Sequence, residues 1–145
     1  MQELSIKGHA RLFLWRKGKL LWTREHENIV TSAGKDAFAD HAVGGAIAVI
    51  SHMAVGSDNM LSDETMTALQ GTEHQRLAST VVATGNVMQV TEAFGPGLAG
   101  QVSAAEFGLF NAAAAGTMFA RFTTNPFSLD PSEVLDVVWS LAFGD

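Results

Sequence analysis

Alternating apolar and polar positions run through most of this chain, at the spacing of strands rather than helices. The clearest stretch is C-terminal, where Leu135, Val137, Trp139, Leu141 and Phe143 share one side and Asp136 and Ser140 the other. A period of two places the first set on a buried face. Near the other end, residues 11–15 and 20–24 read as two strands around Lys17-Gly18, a pair suited to a two-residue turn. Ala10, Leu12 and Leu14 fall on one face of that hairpin, and Arg11, Phe13 and Trp15 on the other. Both faces carry bulk, so the pattern predicts a cover on each side, one of them a neighbouring subunit.

Between these ends the pattern predicts further elements. Thr31 or Ser32 is placed to cap a helix over residues 33–41, with Ala37, Phe38 and His41 on one side and Gly44-Gly45 as its stop. Residues 47–55 form an apolar run that reads as a strand, and residues 62–70 fit a short, marginal helix that starts with Asp63 and Glu64 in its first turn. Residues 76–84 and 87–94 flank Gly85-Asn86 as a hairpin, and a glycine-rich loop over 95–100 leads to a strand over 102–110. An alanine-glycine loop, a strand over 118–122, a polar loop and the terminal strand complete the chain. Seven or eight strands with short turns and one or two short helices predict a mainly β protein. The expected fold is an antiparallel β-sandwich, jelly-roll-like, forming a single domain over 1–145, with 1–27 as a basic N-terminal hairpin used in contacts.

Charge sharpens that last expectation. Residues 1–35 hold seven of the nine cations and three of the fifteen acids, a local +4, which leaves −10 for the rest of a chain whose net charge is −6. A basic hairpin facing an acidic neighbour follows from this. Nucleic acid is a poor partner for a chain of net −6. Only 17% of residues are charged, and a thinly charged surface fits one partly covered by a partner. The chain has no cysteine, which excludes disulfides and thiolate chemistry. No apolar run approaches the roughly 20 residues of a membrane helix, and the start lacks the pattern of a secretory signal. No membrane partner is expected.

Candidate chemistry is sparse. His9, His26, His41, His52 and His74 form no metal-ligand spacing. The acidic stretch from Asp58 to Glu64 departs from a calcium loop at Met60 and Leu61. Asp130, Glu133 and Asp136 read as a turn followed by outward strand positions, with Pro131 in the turn. No nucleophile elbow or phosphate loop appears. The reading is no enzyme, no cofactor and no metal, with contacts carried by Arg11, Phe13, Trp15, Arg16, Trp22 and Arg24. Phe13, Trp15 and Trp22 are expected to be aromatic anchors, and the arginines to pair with acidic groups at the rim.

Three blocks carry a resemblance. The run Asn28-Ile29-Val30-Thr31-Ser32-Ala33-Gly34-Lys35-Asp36 is the first. Met53-Ala54-Val55-Gly56-Ser57, followed by Glu73-His74-Gln75-Arg76, is the second. Ala105-Glu106-Phe107-Gly108-Leu109-Phe110-Asn111 with Thr117-Met118-Phe119-Ala120-Arg121 is the third. In order and spacing these resemble small structural proteins of tailed bacteriophages, over residues 28–143. The resemblance implies a virion component: a capsid decoration (cement) protein, or a tail-fibre or baseplate adaptor. A carbohydrate-binding host-attachment module is a third reading. A cement protein would be a homotrimer on the outer capsid surface, assembled in the host cytoplasm. It would clamp neighbouring copies of the major capsid protein against internal DNA pressure.

Overall fold

The computed structural model describes residues 5–95 and 103–144, and the alternation becomes nine strands and one helix. The glycine-rich loop beyond Gly95 and the expected strand start at Val102 lie outside the described residues. The elements are β1 (Ile6–Arg16), β2 (Lys19–Val30), α1 (Ser32–Ala42), β3 (His52–Gly56), β4 (Glu73–Ala78), β5 (Thr80–Thr84), β6 (Val87–Phe94), β7 (Ala104–Phe110), β8 (Met118–Phe127) and β9 (Glu133–Phe143). Every strand pair is antiparallel, in the order β4-β3-β7-β8-β2-β1-β9-β6-β5.

That ladder folds over on itself at β2 and β8, which pair only through Ile29 with Arg121 and Val30 with Ala120. The fold-over produces two layers, β5-β6-β9-β1-β2 and β8-β7-β3-β4, and the expected sandwich. On the far side the chain itself joins the layers between β4 and β5. There Ser79 donates its N–H to the Ser51 carbonyl and its hydroxyl to Glu92. The strand expected over 76–84 is therefore two strands in two layers.

Aromatic rings fill the space between the layers. Trp139, fully buried, meets Phe122 edge-on at 4.7 Å. Phe122 stacks on Phe107 at 5.0 Å, and Phe107 meets Phe94 at 6.0 Å. The Trp139 indole donates to Asn28 Oδ1 at 2.8 Å, so the buried N–H is satisfied. Gly8 makes room for this bond, since a Cβ there would overlap the Asn28 side chain. Leu135, Val137, Trp139 and Leu141 are buried as their spacing predicts. Glu133 is a correction: it shares their inward parity and is buried, held by Arg16 at 3.0 Å and by the Asp130 N–H at 2.6 Å.

Thr31 caps α1, its hydroxyl accepting from the Gly34 N–H at 2.9 Å while its own N–H donates to the Phe119 carbonyl. Gly34 lies so close to β8 that a Cβ would sit 2.6 Å from the Phe119 carbonyl oxygen. Ala37 and Phe38 face the core, and His41 is exposed.

One expected element is shortened, one is absent and one is extended. Residues 47–51 are not strand: the Ile47 N–H goes to the Asp40 carboxylate, and the run meets the sheet at Ser51, whose N–H donates to the Phe110 carbonyl, before β3 begins at His52. Residues 62–70 form no helix. The strand expected over 118–122 continues to Phe127 through the polar loop. Trp139→Ala is expected to cost about 3–5 kcal/mol, because it empties the centre of the core and orphans Asn28; urea unfolding of the variant beside the parent measures this.

Candidate contact surface and the buried ion pair

The hairpin β1–β2 turns through Lys17 and Gly18, both at positive φ (50° and 80°), as a two-residue loop of matching twist requires. The six residues expected at contacts separate here into three places. Phe13 and Trp15 lie with Arg11 on the outer face of β1, opposite the buried Leu12 and Leu14. Phe13 stands directly beside Asp136 of β9, which in turn stands beside Ala93 of β6. Together with Thr80, Thr91 and Val138 these line an open groove of about 530 Å³. The Trp15 indole N–H has no hydrogen-bond partner among the described residues. Arg11 pairs with Glu25 across the strands at 3.3 Å, on the exposed side.

Arg16 sits at the rim, on Glu133. Trp22 and Arg24 point instead toward the other layer. Trp22 meets Phe127 edge-on at 5.1 Å, and the Arg24 guanidinium lies 4.3 Å from the centre of the Trp22 ring. Arg24 donates through Nη1 to Thr124 Oγ1 at 2.9 Å and to the Asn125 carbonyl at 2.7 Å. His26 bonds the same hydroxyl and stacks on Phe122 at 5.6 Å. Burial first, then the charges of Arg24 and His9, hold its pKa below the usual 6.5.

The outer face of the second layer is closed. Glu106 of β7 and Arg121 of β8, 0% and 1% exposed, form an ion pair at 3.0 Å. The Glu106 carboxylate also accepts the N–H groups of Asp58, Gln70 and Gly71 at 2.8–2.9 Å. Arg121 donates to the Met60 carbonyl and to Ser62 Oγ. One pair thus holds both ends of the 57–72 loop, and the loop lays Met66 and Leu69 over Ala54, Phe110 and Met118. Gly56 and Gly108 leave the room: a Cβ at either would fall within 3 Å of Glu106 Oε2 or of the Phe110 and Leu69 side chains.

Residues 62–70 are non-helical because their polar groups are spoken for by this network. Asp63 takes the Thr65 N–H and hydroxyl in a local turn rather than opening a helix, and these two bonds hold its pKa low. Among the described residues no three His, Cys, Asp or Glu side chains converge as metal ligands.

Arg76 braces the neighbouring loop. It forks onto Glu73, caps the carbonyls of Ala112 and Ala115, and lies 3.7 Å from the centre of the Phe110 ring. The second and third blocks named above therefore build one layer and its cover together. Sequence reasoning quoted Glu106 and Arg121 without seeing their bond. The available signal was one acid and one base, each alone in an otherwise apolar strand. The chain matches no known protein-family model, no curated protein and no solved structure.

Two outcomes follow. Arg121→Met is expected to cost about 3–5 kcal/mol by leaving a buried carboxylate unpaired, and adding Glu106→Gln recovers part of that loss rather than deepening it; a denaturation double-mutant cycle reads the sign. For His26, the folded state binds its proton less readily than the unfolded chain. Stability is then full above the usual 6.5 and falls as pH drops from there through the lower folded value. Melting temperature between pH 7 and pH 5 should drop further for the parent than for His26→Gln.

Proposed function

We propose that this chain is a structural protein of a tailed-bacteriophage virion, a capsid decoration (cement) protein that clamps neighbouring major capsid protein subunits against internal DNA pressure. It works by contact, not by turnover. The observation that carries this reading is the outer face of β1, β9 and β6, where Phe13 and Trp15, with Arg11 on the same face of β1, line a groove that also holds Glu92 and Asp136, while the opposite layer is closed by its own loop. Aromatic side chains beside arginine are the usual centre of a protein contact. The resemblance of the three blocks to phage structural proteins supplies the setting. Charge supports it too: the hairpin-bearing first 35 residues carry +4 and suit an acidic capsid surface.

A clamp of this kind does not need a tight single contact. Many copies on one shell multiply modest attachments, and each holds two neighbours that pressure would part. A second reading keeps the same groove for a saccharide, favoured by the Phe13 and Trp15 rings standing with Thr80, Thr91 and Asp136 in its lining.

Both readings are tested by Phe13→Ala and Trp15→Ala in a reconstitution with purified capsids lacking the protein. Each is expected to weaken capsid binding by about 2 kcal/mol, some thirtyfold, as truncation of a contact anchor does. Capsid binding at parental strength in both variants overturns the assignment. Loss of binding to host-surface saccharide, with capsid binding intact, selects the second reading.

A further inference from the structure

Beside the hairpin groove lies a second surface, where β2 and β8 part company. The two strands are partners only at Ile29–Arg121 and Val30–Ala120. Beyond that corner the main chain of β2 pairs only with β1 and that of β8 only with β7, while the Arg24 and His26 side chains reach Thr124 and Asn125 across the gap. Two strand edges therefore diverge from a common vertex. Among the described residues, nothing bonds the main chain of 22–28 from the open side. The register shift at Leu14/Trp15 leaves Leu21 as the extra residue of a bulge, so the regular edge runs from Trp22 onward. Its neighbours in the cleft are Arg24, His26, Leu61, Thr123 and Asn125. Leu61 stands 83% exposed at the mouth.

The chemistry of this cleft is specific. Main-chain donors and acceptors in a row bind an extended strand. Arg24, on the inward side of that row, spends Nη1 on a hydroxyl and a carbonyl and has no carboxylate partner among the described residues. It rests on Trp22 and Phe127, which fix the guanidinium at the edge. Glu25 alternates with it and faces the other side of the sheet, where Arg11 and His9 flank it, while Glu27 lines the end of the cleft nearer the vertex, beside Leu61 and Thr123. On the cleft side burial lowers the His26 pKa from its usual 6.5, so Arg24 supplies the positive charge there.

We propose that this cleft binds an extended segment of a partner protein, which adds to the open edge of β2 and places an acidic side chain on Arg24. The site is separate from the Phe13–Trp15 groove, and its occupancy does not depend on the capsid reading. It also gives Trp22 and Arg24, which face away from that groove, a contact role of their own.

The test uses the full chain and a capped heptapeptide of alternating valine and threonine with a central glutamate. Amide chemical shifts of Trp22 to Asn28 are expected to move on titration, and Arg24→Gln to weaken binding at least about tenfold. A lysine in place of the glutamate, or a proline beside it, should weaken binding similarly, the first through charge and the second through the lost donor. Equal binding of the lysine peptide, or shifts confined to residues outside β2, overturns the proposal. Unchanged affinity in Arg24→Gln, with its own spectrum showing a folded chain, overturns it as well.

Discussion

One buried ion pair decides what the rest of this molecule can do. Glu106 and Arg121 sit in adjacent strands where water is excluded, a costly position for either charge alone. The cost is met by a surrounding set of hydrogen bonds, three main-chain N–H groups on the carboxylate and oxygens of the 57–72 loop on the guanidinium. The loop is thereby tied to the sheet with no helix or strand of its own. It closes one outer face of the sandwich and leaves the other, bearing Phe13 and Trp15, open for contacts.

The tie also accounts for where the chain accepts unusual residues. Gly56 and Gly108 stand where a side chain would push the acid or the covering apolar groups away. Arg76 repeats the device one strand over, its guanidinium pinned between Glu73, two carbonyls and a phenylalanine ring. Charged groups are thus spent on rigidity inside one layer. The open layer pairs Arg11 with Glu25 and Arg16 with Glu133, and keeps Glu92 and Asp136 in the groove itself. A rigid wall behind a half-exposed aromatic face is the arrangement a clamp needs, because a contact that deforms under load does not hold neighbours together.

Much of the fold was legible where a local rule decides it. Alternation placed Leu135 through Leu141 inward, Lys17-Gly18 required a tight turn, and Thr31 capped the helix. The misreadings share a cause, which is that distant partners settled the matter. Residues 62–70 look helical alone, but Glu106 and Arg121 claim their polar groups. Residues 47–51 look like strand, yet Asp40 draws Ile47 back toward the helix end. Residues 123–127 look like a polar loop, yet they extend β8, with Thr123 paired to Glu106 and Phe127 to Ala104 of β7. Of the contact residues, Arg11, Phe13 and Trp15 were legible as a face. That Trp22 and Arg24 turn toward the other layer was not, since β2 alternates in half-buried steps and only the position of β8 sets its inner side.

The central claim is that the open outer face of β1, β9 and β6 meets the partner while the loop-covered layer faces away. An image of the intact purified particle, at a resolution that orients this sandwich, tests it most directly. The account predicts many copies on the outside of the shell, each with Phe13 and Trp15 against the major capsid protein and the 57–72 loop toward solvent. Copies seated on the shell through that loop, or particles lacking the protein altogether, would contradict it.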